Sequence, residues 1–219
     1  MLAIVIISTS IVGVMNIISL ERNVRREAQE RVNYVLNTLH YQYDEQLSLL
    51  ANSFGNEIED LSYDMEEILL DIERLKQKYD FNVINICDVE GNPVSGSYPD
   101  RSARIPIDRD PVLRRALEGE LSWGTVKLDS TRLVLEGGPA LKNVVIVNKK
   151  GEKNEPATTS ALFWWIASPV KDEDGRTVGL IYGGRTLNYN FEFVDSMRDL
   201  LFGNELYEGK PVGTVTIFL

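Results

Sequence analysis

One cysteine, Cys87, and one histidine, His40, are all that this chain of 219 residues has of either type. An intrachain disulfide is therefore excluded, and so is a zinc site built from Cys and His. There is also no Asp/Asn loop with calcium-type spacing, so no metal centre is expected. A Ser–His–Asp or Cys–His machine would have to use His40, which lies in a long polar helical stretch far from any Gly-framed nucleophile. Neither G-x-G-x-x-G nor a Walker-type lysine occurs, and no cofactor is expected. Basic residues are in deficit: 23 Lys and Arg stand against 33 Asp and Glu, a net charge of −10. Duplex nucleic acid, which demands a basic face to displace counterions, is not the expected partner. Paired acids such as Glu66–Glu67 read as solvated helix face rather than as acid–base partners. An enzyme is not expected.

Charge is missing altogether from Leu2 to Leu20, LAIVIISTSIVGVMNIISL. At 1.5 Å per residue this segment matches the hydrocarbon span of a bilayer. No basic n-region precedes it and no A-x-A-like site ends it, which favours an uncleaved anchor over a signal peptide. Arg22, Arg25 and Arg26 follow directly, interleaved with Glu21 and Glu27. Taken alone, a flank rich in arginine belongs on the cytoplasmic side.

Proline is absent from Glu21 to Tyr79, and Gly55 is the one glycine there. Apolar residues at Leu47, Ala51, Phe54, Ile58, Leu61, Met65, Ile68, Ile72 and Leu75 alternate steps of four and three, a heptad stripe. Fully helical, the segment would reach on the order of 80 Å. The strong C-terminal half suits packing on the domain that follows. The weaker stripe through Val32, Leu36, Leu39 and Tyr43 suits a homodimer seam.

After Tyr79 the period changes. Phe81–Cys87 reads as a strand, and Asp88–Pro93 as a turn into a second strand. Asp110 is an N-cap and Pro111 a first helical residue, with Gly119 as the stop. Leu121–Leu128 and Ala140–Asn148 read as strands, with a polar loop, KKGEKNEPATTS, after them. Ala161–Val170 is a buried strand, Asp172–Arg176 a hairpin turn, and Thr177–Leu187 the returning strand. Phe191–Phe202 is an amphipathic helix stopped by Gly203. Val212–Leu219 alternates as a final strand. One long helix followed by antiparallel strands and short helices is an α+β arrangement.

The hairpin Ala167-Ser168-Pro169-Val170, Asp174-Gly175, Val178-Gly179 resembles the signature of Cache domains, the PAS-like extracytoplasmic sensors of receptors. Tyr182-Gly183-Gly184-Arg185-Thr186-Leu187-Asn188-Tyr189-Asn190 with Val194-Asp195, Arg115–Gly119 and Leu135-Glu136-Gly137 resemble the membrane-distal unit of double-Cache sensors. Gly213–Phe218 resembles the first strand of a membrane-proximal unit. The resemblance implies a PAS-like antiparallel sheet divided as follows. Residues 1–20 form a transmembrane anchor, 21–79 a long signalling helix, 80–190 the distal sensor domain, and 191–219 a connecting helix and the opening strand of a second, truncated Cache unit. It also implies an inner-membrane location with the sensor periplasmic or extracellular, and a small-molecule ligand. The output would be a histidine kinase, a chemoreceptor tip or a similar module. The amino-acid-binding subfamily carries Arg-x-Trp-Tyr on a strand; this chain has Phe163-Trp164-Trp165 without the arginine.

Trp164, Trp165, Tyr182 and Arg185 are the candidate ligand-binding residues. The two tryptophans point to opposite faces of their strand. Arg185 shares a face with Gly179, Ile181 and Gly183, where small residues leave space and a guanidinium suits a carboxylate, so an anionic ligand is expected. Tyr182 lies on the opposite strand face from Arg185. Gly183 and Gly184 sit in a strand pattern and read as close backbone packing or a bulge. The alternative is a membrane-tethered coiled-coil scaffold whose globular part binds a protein partner. A concave, partly polar cavity opposite the long helix favours the sensor, whereas a filled, apolar sheet face favours the scaffold.

Overall fold

The computed structural model describes the backbone at residues 2–60, 65–98, 102–145, 160–188, 190–203, 206–207 and 210–211. Side chains are described at residues 19–59, 71–98, 102–141, 160–188 and 190–203. The expected polar loop, apart from its last residue Ser160, and the strand Val212–Leu219 lie outside these residues. The chain divides into two compact units, Met1–Asp44 and Glu45–Leu219. Helix α1 (Leu2–Asp60) runs through the first and opens the second. Among the described residues no helix is long and apolar enough to cross a membrane. The side chains of residues 2–18 lie outside the described set, so the transmembrane helix expected there has no support from the structure. In the first unit Leu20, Val24, Val32 and Leu36 are exposed, and ion pairs such as Arg25–Glu21 lie one helical turn apart.

The second unit is α+β, as its periodicities require. It is built on a five-stranded sheet in the order β2-β1-β5-β4-β3. The strands are β1 (Val83–Asp88), β2 (Pro93–Gly96), β3 (Ser122–Asp129), β4 (Ser160–Lys171) and β5 (Thr177–Thr186). Every pairing is antiparallel. The Asp172–Arg176 turn closes the β4–β5 hairpin, with Asp172 Oδ1 accepting from the Arg176 amide and Gly175 at positive φ. Alternation along the strands gives the sheet two apolar faces. Val83, Cys87, Phe163, Trp165, Ala167, Leu180 and Tyr182 share one core. Ile84, Ile86, Trp164, Ile166 and Ile181 occupy the alternate positions and are equally buried.

The heptad residues Leu47, Ala51, Phe54 and Ile58 of α1, and Ile72 and Leu75 of α2 (Met65–Lys78), are buried. Phe54 packs edge-on to Tyr79 and within 5.3 Å of Phe81, at the entrance to β1. The strong half of the stripe is thus domain packing. Leu61, Met65 and Ile68 of the same stripe lie outside the described side chains.

Glu57 fastens α1 to α2. Its carboxylate accepts from Arg74 and from Lys78, each at 2.6 Å, and from the Tyr79 hydroxyl at 2.5 Å. Burial by itself would push this carboxyl up, but the hydrogen bonds of Lys78, Tyr79 and Arg74 outweigh it and hold the pKa at about 2. A depressed carboxyl contributes stability above its unfolded pKa and loses it as pH falls through the folded value. Urea melts of the wild type should therefore lose midpoint between pH 4.5 and pH 2, and Glu57→Gln should remove part of that slope. Parallel slopes for the two proteins would show that the clamp does not hold the helices together.

On the other face lie a 3-10 turn at Ile107–Arg109, α3 (Pro111–Leu117) and α4 (Ser130–Val145). Asp110 caps α3 through the amides of Val112 and Leu113, and Pro111 follows it. Both match the sequence reading. Helix α4 corrects it: Ala140–Val145 is helical, not a strand. The reason is local. Gly138 takes φ +77, which ends the first helical segment, and Pro139 then opens the next with its fixed φ. Helix α5 (Phe191–Phe202) follows β5, capped by Asn190 and ended by Gly203 at positive φ.

Candidate functional site

Beneath α3 and α4 the core face of the sheet carries a buried polar cluster. Its centre is Glu136, whose residue is 0 % exposed. One carboxylate oxygen accepts from Asn85 Nδ2 at 2.7 Å and from the Tyr182 hydroxyl at 2.9 Å. The other accepts from Arg132 Nε at 2.5 Å. Tyr98 donates in turn to the Tyr182 oxygen at 2.7 Å. Asn85 Nδ2 also reaches the Glu136 carbonyl at 3.1 Å, and its Oδ1 accepts from the Ser97 amide at 2.8 Å.

Each residue arrives from a different element. Asn85 shares the face of Val83 and Cys87 on β1, and it pairs directly with Tyr182 on β5. Arg132 and Glu136 stand one turn apart on α4. That helix is started by Asp129, whose Oδ1 accepts from the Arg132 amide. Asp110, from the start of α3, places its second carboxylate oxygen 3.5 Å from Arg132 Nη2.

Two carboxylates thus share one guanidinium. Burial pushes the Glu136 carboxyl up, and Arg132, Tyr182 and Asn85 oppose it. All three of its hydrogen bonds are accepted, which is the geometry of the ionised form. Burial also raises Asp110, against the amides of α3 and Arg132. Arg132 is held above its ordinary value: burial lowers it, but Glu136, Tyr182 and Asp110 more than compensate. The field of Glu136 is felt widely. Burial first, and the Glu136 charge second, push the Cys87 thiol up to about 12 and lift the Tyr98 and Tyr182 hydroxyls.

The four residues singled out in the sequence divide between the faces. Trp165 and Tyr182 stand together on the cluster side, ring centroids 5.5 Å apart. The Trp165 indole N–H lies close enough to Asp110 to help hold it charged, short of a formed hydrogen bond. Trp164 and Arg185 lie on the other side, paired across the β4–β5 ladder. The Arg185 guanidinium sits 4.5 Å over the Trp164 ring, and Phe193 of α5 packs on that ring from 5.0 Å. Burial lowers the Arg185 pKa, with Asp80 and Glu192 pulling against it. The ladder runs through Gly183 and Gly184 without a register shift, so no bulge brings Arg185 to the face of Tyr182.

Asn85, Tyr98, Asp110, Arg132 and Glu136 were not among the sequence candidates. The signal that could have found two of them is Asp129 three residues before Arg132, with Glu136 four further on. A cap followed by an i,i+4 ion pair marks a helix start.

No family model and no curated protein matches the sequence significantly. Solved structures do. The sensor domain of E. coli DcuS is 13% identical, with a TM-score of 0.39, over 67% of this chain and 98% of that one. The GAF domain of A. aeolicus nlh2, in an inactive state, is 16% identical, with a TM-score of 0.32, over 72% of this chain and 95% of that one.

Proposed function

We propose that this chain is the small-molecule sensing region of a transmembrane receptor. Its second unit would be an extracytoplasmic Cache-type sensor, and α1 the element that passes the signal on. The observation that carries the reading is the buried cluster of Asn85, Tyr98, Asp110, Arg132, Glu136, Trp165 and Tyr182. Burying so many polar and charged groups is costly, and a scaffold gains nothing from doing so on the sheet face away from its helix. The scaffold alternative called for a filled, apolar face there. In this reading the region is not itself catalytic, and the receptor works as a membrane-bound homodimer.

The test is a thermal-shift screen of the 219-residue protein against small metabolites, repeated with Tyr182→Phe. A binding compound should raise the melting temperature of the wild type by several degrees, as ligand at roughly 100 times its Kd would. The variant, lacking the hydroxyl that links Tyr98 to Glu136, should lose most of that shift. Hits that stabilise both proteins equally would remove the cluster from the sensing role. In the full-length receptor, one residue inserted after Asn37 should turn the register of α1 by about 100° and disrupt output. Output untouched by that insertion would sink the relay.

A further inference from the structure

The cluster has two unlike ends. Around Glu136 every hydrogen-bonding partner is in place. Around Asp110 the accounts stay open. One oxygen of Asp110 is taken by the amides of Val112 and Leu113. Arg132 Nη2, 3.5 Å from the other oxygen, makes no hydrogen bond. Trp165 Nε1, in a residue 0 % exposed, makes none either. Two buried N–H groups, neither in a formed hydrogen bond, therefore face the Asp110 carboxylate, Arg132 Nη2 from 3.5 Å off its second oxygen. The Arg132 side chain is 14% exposed, although its Nη2 atom is itself buried.

The charges facing this corner are Asp110 from the start of α3 and Arg132 and Glu136 from α4; β1, β4 and β5 contribute Asn85, Cys87, Trp165 and Tyr182, which are neutral. Net negative, the corner repels a carboxylate or phosphate, and such a group offers acceptors alone. An ammonium ion offers donors alone, leaves both N–H groups unmet and faces Arg132. A hydroxyl brings one donor and two acceptor lone pairs, the complement of what stands there.

We propose that the ligand is a neutral, hydroxylated small molecule, one of whose hydroxyls accepts from Trp165 Nε1 and Arg132 Nη2 and donates to Asp110. The proposal rests on the cluster being the ligand site and names what that site takes.

The indole N–H resonances of the 219-residue protein provide the test, with that of Trp165 assigned by its loss in Trp165→Phe. Erythritol, mannitol, myo-inositol and glucose serve as hydroxylated probes, succinate as the anion and ethylammonium as the cation. At least one hydroxylated probe should shift the Trp165 resonance saturably. Trp165→Phe, which keeps an aromatic ring but removes the donor, should bind that probe about tenfold more weakly by calorimetry. If Trp165→Phe does not melt cooperatively, Asp110→Asn replaces it and should weaken the same binding. A saturable shift from succinate or ethylammonium, with none from the polyols, overturns the ligand class and leaves the cluster as a site. No saturable shift from any probe, or binding indifferent to Trp165→Phe and Tyr182→Phe alike, overturns the class and the site together.

Discussion

Glu136→Ala is expected to lower the unfolding free energy by about 3–5 kcal/mol, the usual consequence of removing one member of a buried ionic network. The loss exceeds that of an apolar side chain of the same size because of what stays behind. Arg132, Asn85 and Tyr182 all donate to this carboxylate. Without it Arg132 Nε and the Tyr182 hydroxyl lose their acceptor under α4 and Asn85 Nδ2 keeps only the backbone carbonyl of residue 136, and each buried unsatisfied group costs roughly 1–3 kcal/mol. Urea unfolding followed by circular dichroism measures the effect. A loss below about 1 kcal/mol would mean that water replaces the carboxylate freely and that α4 does not seal the cluster.

Gly184→Ala is the second change expected to have a large effect, roughly 3 kcal/mol or more from overpacking against backbone. A Cβ at Gly184 would collide with the carbonyl oxygen of Trp164, far inside van der Waals contact. Gly183 meets the Val83 carbonyl on its other flank in the same way. Carbonyls held in a β-ladder cannot swing aside as a side-chain tip can. Gly175→Ala is the control. Its Cβ would meet nothing within 4 Å, although its φ is +78, so it should cost only about 1 kcal/mol of left-handed strain. Equal melting temperatures for Gly184→Ala and Gly175→Ala would disprove the close approach of β4 and β5.

That contrast also marks what a sequence can carry. Gly183 and Gly184 read as close backbone packing or a bulge, and the unshifted ladder with its close carbonyls leaves the first of these. The cap at Asp110, the turn at Asp172–Arg176 and the stop at Gly203 were equally legible, since each depends on three or four adjacent residues. Helix α4 was not. Val144 and Val145 favour strand, and the decision fell to Gly138 and Pro139, a break whose two sides look unrelated in sequence.

Alternation along β4 and β5 fixed by itself that Trp164 and Trp165 face opposite ways and that Tyr182 and Arg185 cannot share a face. Strand geometry allows nothing else. Which of the two faces would hold the buried polar groups was a tertiary decision. Residues 85, 98, 110, 132, 136, 165 and 182 have no common spacing. They meet because β1 pairs with β5 and because α3 and α4 close over the same side of the sheet. Arg185, the most conspicuous charge in the strand, was turned instead toward Trp164 and α5. A guanidinium can rest on an aromatic ring at a half-buried site, whereas a buried carboxylate needs donors from several elements at once, and only the folded chain brings those together.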